Sequence, residues 1–179
     1  MAQITAELDS IEVTATRIPT LINESGKSIS VLTHEDIEVM PVTSVDELLQ
    51  SLPGVNLNSR NAFGVQADIG MRGSTFSQVL VLVDGIRIND PLTAHFNNNI
   101  PVSMSEIERI EVVRGPAATS YGGGAVGGSI HIKTKTNVQR SATNREFSSS
   151  GNVGYGEHSL FMTDAGFHAQ MNRLQISGG

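Results

Sequence analysis

The run Val79-Leu80-Val81-Leu82-Val83 constrains the fold more than any other feature of this chain. Five consecutive apolar residues predict a strand that is buried on both faces, because a strand with one wet face would alternate. Asp84-Gly85 follows, and glycine accepts the positive φ that a two-residue hairpin turn requires. The chain is therefore predicted to reverse into a second strand at Ile86-Arg87-Ile88.

Alternating apolar and polar residues predict further strands at residues 11–16, 27–32, 66–71, 106–114 and 129–134. In the last two segments charged or polar residues occupy one side of the alternation, so both strands are expected to be half-buried. The first segment lies within residues 1–26, which otherwise lack periodicity and are expected to form a flexible tail. Combined with short helices, these strands predict an α+β fold built on a small mixed β-sheet.

Two short helices are predicted after the strand at 27–32. Thr33 and Thr43 each stand three residues before an aspartate, which is typical of a helix N-terminus because the hydroxyl caps an N–H and the acid favours the positive end of the helix dipole. The second helix ends at Pro53-Gly54 and has one apolar face. That face consists of Val45, Leu48, Leu49 and Leu52.

Residues 146–179 have a different pattern from the rest of the chain. Two long strands are predicted around a turn at Glu157-His158-Ser159, each with small or polar residues on one face and apolar residues on the other, and a third begins at Leu174. This alternation is typical of membrane β-barrel strands. An exposed hairpin of a water-soluble protein is the alternative interpretation. Two or three strands are too few to close a barrel.

The amino-acid composition excludes several classes of function. The 179 residues include no cysteine, which excludes disulfides, thiolate metal sites and cysteine nucleophiles. A net charge of −6 argues against a nucleic-acid partner. No apolar run approaches the roughly 20 residues of a membrane-spanning helix, and no signal-peptide pattern precedes Gln3. The charged fraction of 17% is low for a cytosolic enzyme, so a charged surface is not what this chain presents to its surroundings.

No arrangement of residues predicts an active site. Residues 122–127 have the spacing of a dinucleotide-binding loop, but they precede a strand-like segment instead of a helix. Tight turns and close backbone approach explain these glycines better. The five histidines lack the spacing of a zinc site, and strand alternation accounts for Glu106 and Glu108 beside Glu111. We expect no catalytic residue, no bound metal and no enzymatic activity.

Arg72 and Arg114 are the charged residues that stand out. Each is followed by glycine at the end of an apolar strand pattern. A positive charge in such a place is expensive unless it is paired. The pattern is equally compatible with arginines on the surface. Both are candidate binding residues.

Five motifs in fixed order resemble the plug domain of TonB-dependent outer-membrane receptors. They are Asp9-Ser-Ile-Glu-Val-Thr-Ala15, the helix that closes in Leu52-Pro-Gly-Val55, Ile69-Gly-Met-Arg-Gly73, Val81-Leu-Val-Asp-Gly-Ile-Arg87, and Ile107-Glu-Arg-Ile-Glu-Val-Val-Arg-Gly-Pro116 with the glycines after Tyr121. The resemblance spans residues 9–135. Within the family the chain is most similar to cobalamin receptors, through residues 76–90 and the loop that follows.

The resemblance implies four segments: a flexible N-terminal segment at 1–26, a plug at 27–135, a linker at 136–145 and the first barrel strands at 146–179. It implies the outer membrane of a Gram-negative bacterium, with the plug inside a barrel whose remainder lies outside this chain. The implied function is gating and ligand sensing in an active transporter for cobalamin or another corrinoid, driven by TonB and the proton gradient. Receptors for siderophores, haem or glycans, and a soluble periplasmic ligand-binding or interaction module, are the alternatives.

The resemblance also assigns roles to residues. Asp9, Ser10, Ile11, Glu12, Val13, Thr14 and Ala15 match the TonB box, which docks on the C-terminal domain of TonB as an added strand. Arg72 and Arg114 match arginines that pair with barrel glutamates, so replacing both is expected to change the stability of this chain little. The loops at 59–67 and 89–101 face ligand in the family. Their candidate ligand contacts are Asn61, Phe63, His95, Phe96, Asn97, Asn98 and Asn99. No resident cofactor is implied, and the resemblance is compatible with calcium in these loops and with a surface lipoprotein partner.

Overall fold

The fold is known from a computed structural model of the chain. It describes residues 12–13, 20–21, 28–42, 44–59, 67–90, 100, 102–116, 124–137, 146–159, 161–171 and 174–179. The helices are α1 (His34–Glu38) and α2 (Val45–Ser51). The strands are β1 (Glu12–Val13), β2 (Thr20–Leu21), β3 (Ser28–Thr33), β4 (Val55–Ser59), β5 (Ala67–Met71), β6 (Val79–Val83), β7 (Ile86–Arg87), β8 (Ile107–Arg114), β9 (Gly128–Thr134), β10 (Glu146–Tyr155), β11 (Phe161–Met171) and β12 (Leu174–Gly178).

Five of these strands form a central sheet in the order β3-β8-β9-β6-β7. The β6–β9 pair is parallel and the other pairs are antiparallel, which confirms the predicted mixed sheet. At the predicted hairpin, Asp84 and Gly85 have φ angles of 49° and 85°. The strands β4 and β5 form a separate antiparallel pair, as do β1 and β2. Of the strand predicted at 11–16, the structure describes Glu12 and Val13, which form β1.

The main core lies between one face of the central sheet, the β4–β5 pair and α2. Leu48 and Leu49 of α2 are fully buried, as are Ile110 of β8 and Ile130 of β9. Because the apolar residues of α2 repeat with helical spacing, they all point into this core. The predicted apolar face of the second helix is confirmed.

The second face of the central sheet is buried as well. Glu111 of β8 and Ser129 of β9 have no exposed surface, and His131 retains 1%. The prediction that β8 and β9 are half-buried is therefore wrong. Alternation correctly shows which residues share a face, but it does not show whether that face is covered.

The N-cap of α1 is the residue that the sequence predicts, whereas the N-cap of α2 is not. Thr33 caps α1, because its Oγ1 accepts from the Asp36 N–H at 3.3 Å and its own N–H donates to the Asp36 carboxylate at 3.0 Å. The second start is one residue later than predicted: Ser44, not Thr43, occupies the N-cap of α2, and its side chain makes no capping bond. In the part of the chain that the structure describes, no helix is long and apolar enough to span a membrane.

The outer edge of β6 is closed by a side chain where β7 ends. The Asn89 amide donates to the Val79 carbonyl at 3.1 Å, and its Oδ1 accepts from the Val81 N–H at 2.7 Å. Asn89 is 6% exposed. Its carboxamide thus takes the place of a neighbouring strand along this part of the edge.

The strands β10, β11 and β12 form an antiparallel sheet, here called the terminal sheet. It buries polar side chains and exposes apolar ones, which is the reverse of the usual arrangement in a water-soluble protein. One face packs on the rest of the chain and carries the buried side chains of His168 and Gln170, each 2% exposed. The other face is largely apolar, and its large hydrophobic side chains are 47–81% exposed. It presents Phe147, Val153, Tyr155, Phe161, Phe167, Met171, Leu174 and Ile176.

Candidate functional site

The two candidate arginines lie together at one end of the central sheet. Arg114, the last residue of β8, donates from Nε and Nη2 to the Pro53 carbonyl at 3.1 and 2.7 Å, and from Nη1 to Ser30 Oγ at 2.7 Å. Arg72 donates from Nη2 to Ser28 Oγ at 3.1 Å. Both serines belong to β3. The structure therefore brings the two arginines into one site, here called the arginine pair.

Backbone turns after the strands place both guanidinium groups. Arg72 has a φ of 50°, which is unusual for a residue other than glycine, and Gly73 and Gly115 have φ angles of 78° and 83°. Burial, and secondly the charge of Arg72, lower the pKa of Arg114. Two clustered guanidinium groups favour an anionic partner, because each offers a planar fork that matches a carboxylate.

The partners of Arg114 correct one expectation. Instead of lacking partners in this chain, Arg114 joins β8 to the turn after α2 and to β3. We expect Arg114→Ala to lower the free energy of unfolding by about 1–2 kcal/mol, since several hydrogen bonds of a partly exposed charged donor are lost. Urea denaturation measures the change. Arg72→Ala, which removes one exposed bond, is the matched variant and should cost less; equal losses would contradict the assignment.

A second cluster of charges, which the sequence does not predict, lies on the buried second face. Arg109 Nε donates to Glu111 Oε1 at 2.8 Å, and the Glu111 side chain has no exposed surface. In the sheet register, Glu111 stands opposite His131, and Arg109 stands opposite Lys133. Burial lowers the pKa of Lys133, while Glu111 and Asp84 oppose that shift. The alternation of charged residues in β8 does not predict that this face of the sheet is buried.

The His131 side chain makes stability depend on pH. Burial, then the charges of Lys133 and Arg109, lower its pKa from 6.5 to about 3. Below pH 6.5 the unfolded chain binds a proton that the folded chain does not bind, so stability is lost as the pH falls towards 3. We expect about 2 kcal/mol to be lost between pH 8 and pH 5.

Urea denaturation at several pH values measures this loss. His131→Gln should remove most of the dependence between pH 7 and pH 5. His34→Gln, which changes a histidine on the more exposed α1, is the control and should retain it. An unchanged pH dependence in His131→Gln would show that another group is responsible.

In the glycine-rich segment 122–127, the structure describes residues 124–127, and their glycines have a structural role. The Gly127 N–H donates to the Gln78 carbonyl at 2.8 Å, and the Gly115 N–H donates to the Gly127 carbonyl at 2.8 Å. The strand β9 begins at the next residue, so no helix follows the loop. A Cβ on Gly127 would collide with the Ser74 side chain. The glycines thus allow close backbone approach, as predicted, and the dinucleotide-binding interpretation fails.

The remaining predicted site residues lie largely outside the described residues. Of the TonB-box match, the structure describes the backbone of Glu12 and Val13, which pair with Leu21 and Thr20. The predicted ligand contacts all belong to undescribed segments; these are Asn61, Phe63, His95, Phe96, Asn97, Asn98 and Asn99. Within the described residues, no group of three or more histidine, aspartate or glutamate side chains is arranged to hold a metal ion.

Comparison with known proteins decides the family. The family model described as TonB-dependent Receptor Plug Domain matches residues 22–129. The chain belongs to the TonB-dependent receptor plug family. Three of the motifs that carry the resemblance meet at the arginine pair of this plug: Pro53 in Leu-Pro-Gly-Val, Arg72 in Met-Arg-Gly and Arg114 in Val-Arg-Gly-Pro.

Individual relatives of the plug are transporters and receptors. The chain is 40% identical over 148 residues to vitamin B12 transporter BtuB of Vibrio vulnificus, a match that covers 83% of this chain and 23% of the relative. It is 35% identical over 166 residues to vitamin B12 transporter BtuB of Vibrio cholerae, covering 92% and 27%. The chain thus spans about a quarter of the length of these curated relatives.

Solved structures with the same fold include two receptors. The ferric enterobactin receptor PfeA of Pseudomonas aeruginosa superposes with a TM-score of 0.65 and 26% identity, covering 89% of this chain and 24% of that chain. The siderophore receptor PirA of Acinetobacter baumannii gives a TM-score of 0.60 and 30% identity, covering 79% and 22%. The α+β plug architecture is therefore shared with these receptors.

Proposed function

We propose that this chain is the N-terminal part of an outer-membrane active transporter, in which residues 27–135 gate the pore and 146–179 begin the barrel wall. The reversed polarity of the terminal sheet carries this proposal. On its polar face His168 and Gln170 of β11 are buried, and its apolar face points away, which suits a wall between a plug and lipid. A soluble periplasmic module would expose the polar face instead. The proposed role is transport and not enzymatic catalysis.

For the transported ligand we propose cobalamin or another corrinoid. The supporting observation is the 40% identity to a vitamin B12 transporter, over most of this chain. A ferric siderophore is the second candidate, because the ferric enterobactin receptor shares the fold at a TM-score of 0.65.

A chimaera tests both ligands. Residues 1–179 replace the matching segment of the Vibrio vulnificus transporter in a strain that lacks its own vitamin B12 transporter. We expect saturable uptake of labelled cyanocobalamin and none of ferric enterobactin, with the unmodified relative as control. Uptake of ferric enterobactin alone would favour the second candidate. A chimaera that folds but stays out of the outer membrane would contradict the proposed architecture.

The N-terminal segment is proposed to be the handle for TonB. Residues 9–15 match the TonB box, and β1 shows that part of this segment adopts extended backbone. An added strand binds through main-chain hydrogen bonds, so side chains matter less than free N–H groups.

We therefore expect Val13→Pro to abolish binding of the TonB C-terminal domain, because proline removes a ladder donor. Isothermal titration measures the affinity. Val13→Ile keeps the N–H and the β-branched shape, and it should bind within about twofold of the parent chain. Unchanged affinity in Val13→Pro would refute the assignment of the handle.

The arginine pair is proposed to hold carboxylates of the barrel wall in addition to its partners within the plug. Arg72 is exposed, and two clustered guanidinium groups attract acidic side chains. Such a contact would join the wall to the same site that already holds β3.

A further inference from the structure

Four side chains form a continuous line of hydrogen bonds from the β6–β7 hairpin to the terminal sheet. Thr134 Oγ1 donates to Asp84 Oδ2 at 2.7 Å and lies 2.9 Å from Thr136 Oγ1. Thr136 Oγ1 in turn lies 3.2 Å from Ser177 Oγ of β12. We call these four residues the relay. Its first bond spans 50 positions of the chain and its last bond spans 41, so the relay joins three distant segments.

Backbone contacts hold the hairpin end of the relay in place. The Asp84 N–H donates to the Ile132 carbonyl at 2.9 Å, and the Asp84 Oδ1 accepts from the Thr134 N–H at 2.9 Å. Thr134 is 8% exposed, and the other three residues of the relay are half-buried. Because water has limited access, these bonds are stronger than they would be at an open surface. The hairpin and the end of β9 are therefore expected to move together.

The charge of Asp84 fixes the direction of each hydrogen bond in the relay. An ionised carboxylate only accepts, and a hydroxyl group has one hydrogen to donate. Thr134 gives its hydrogen to Asp84, so its oxygen accepts from Thr136. The oxygen of Thr136 then accepts from Ser177. Hydrogen bonds that are aligned in this way strengthen one another, and the bond to the carboxylate is charge-assisted.

A second hydrogen bond joins the plug to the terminal sheet outside the relay. Ser103 Oγ donates to Asp164 Oδ2 of β11 at 2.6 Å. Ser103 precedes the turn at Met104–Glu106, which leads into β8. The relay instead uses the hairpin, the end of β9 and β12. The two contacts therefore depend on different residues, and substitutions break them one at a time.

We propose that the relay couples the β6–β7 hairpin to the terminal sheet, so that a displacement of Asp84 weakens the contact between Thr136 and Ser177. A small displacement is enough, because a side-chain hydrogen bond is lost beyond about 3.5 Å. The last bond of the relay is already 3.2 Å long. That the terminal sheet is a barrel wall rests on the proposed function. The coupling itself does not, since all four residues belong to this chain.

Amide hydrogen exchange in the whole 179-residue chain, followed by NMR in detergent, tests this coupling. The Thr134 N–H donates to Asp84 and reports on the hairpin end of the relay. Ser177→Ala removes the hydroxyl group at the other end, and we expect the Thr134 amide to exchange at least about threefold faster. Ser103→Ala breaks the contact outside the relay and is the matched control. It should leave the exchange of the Thr134 amide within about 1.5-fold of the parent chain.

A substitution in the middle of the relay separates coupling from general loosening. Thr136→Val removes the hydroxyl group and nearly keeps the shape of the side chain. In this background Ser177→Ala should change the exchange of the Thr134 amide by less than about 1.5-fold, because the relay is already broken. Coupling is reciprocal, so Asp84→Asn should speed exchange in β12 about threefold in the parent chain and not in Thr136→Val.

Three outcomes overturn the proposal. The first is unchanged exchange of the Thr134 amide in Ser177→Ala, or of the β12 amides in Asp84→Asn. The second is an equal effect of Ser103→Ala, which would show that any loss of contact with the terminal sheet loosens the hairpin. The third is an effect of Ser177→Ala that persists in Thr136→Val. Cyanocobalamin uptake by the chimaera does not enter these measurements, so failure of the proposed function is recognised separately.

Discussion

Gly128→Ala should lower the free energy of unfolding by about 3–5 kcal/mol, because the new methyl group has no space and the backbone is unfavourable for it. Gly128 begins β9 with a φ of 153°. An added Cβ would lie 2.5 Å from the Val113 carbonyl oxygen and 2.6 Å from the Met71 sulfur. One of these neighbours is the backbone of the adjacent strand, which cannot move without breaking the ladder between β8 and β9.

Urea denaturation measures this loss, and Gly85→Ala is the matched control. Gly85 has a φ of 85°, but nothing lies within 4 Å of the position that a methyl group would take, so the variant meets backbone strain alone. We expect a cost of about 1 kcal/mol there. Equal losses at Gly85 and Gly128 would show that packing around β9 is looser than the structure indicates.

Glu111→Ala should be similarly damaging, with a loss of about 3–5 kcal/mol, because it leaves the Arg109 guanidinium without the carboxylate that it contacts at 2.8 Å. Glu111 has no exposed surface, so water does not replace the missing charge. The substitution also removes a carboxylate that counteracts the lowering of the Lys133 pKa.

Two comparisons separate charge from volume at Glu111. Glu35→Ala changes an exposed carboxylate on α1 and should stay within about 0.5 kcal/mol of the parent chain. The double variant Glu111→Leu with Arg109→Met should recover much of the loss, since it also removes the guanidinium that Glu111→Ala leaves without its carboxylate. If the double variant is less stable than Glu111→Ala, the pair itself contributes more than its packing volume.

The sequence predicts the elements whose signals are local. The spacing of Leu48 and Leu49 specifies the buried side of α2, and Asp84-Gly85 specifies the hairpin after β6. Both depend on residues within one turn or one strand. The same holds for the Thr33 cap, which needs only Asp36.

Features that depend on residues far apart in the chain cannot be predicted from local sequence patterns. The sequence indicates that Arg114 needs a partner, but Pro53 and Ser30 lie 61 and 84 residues away and contribute a carbonyl and a hydroxyl, which carry no recognisable pattern. Glu111 has the alternation of a solvent-facing residue, and only the folded chain shows that its face is covered. The hydrogen bond from Ser103 to Asp164 likewise joins two residues that belong to no motif and lie 61 positions apart.

The carboxamide of Asn89 has a consequence for how the chain meets other protein molecules. A strand edge with unpaired N–H and C=O groups recruits strands from other molecules and promotes aggregation. Asn89 forms hydrogen bonds with the Val79 carbonyl and the Val81 N–H. These two groups of the most apolar strand are therefore not available to a strand of another molecule. One side chain thereby protects the edge at which a second molecule would otherwise add.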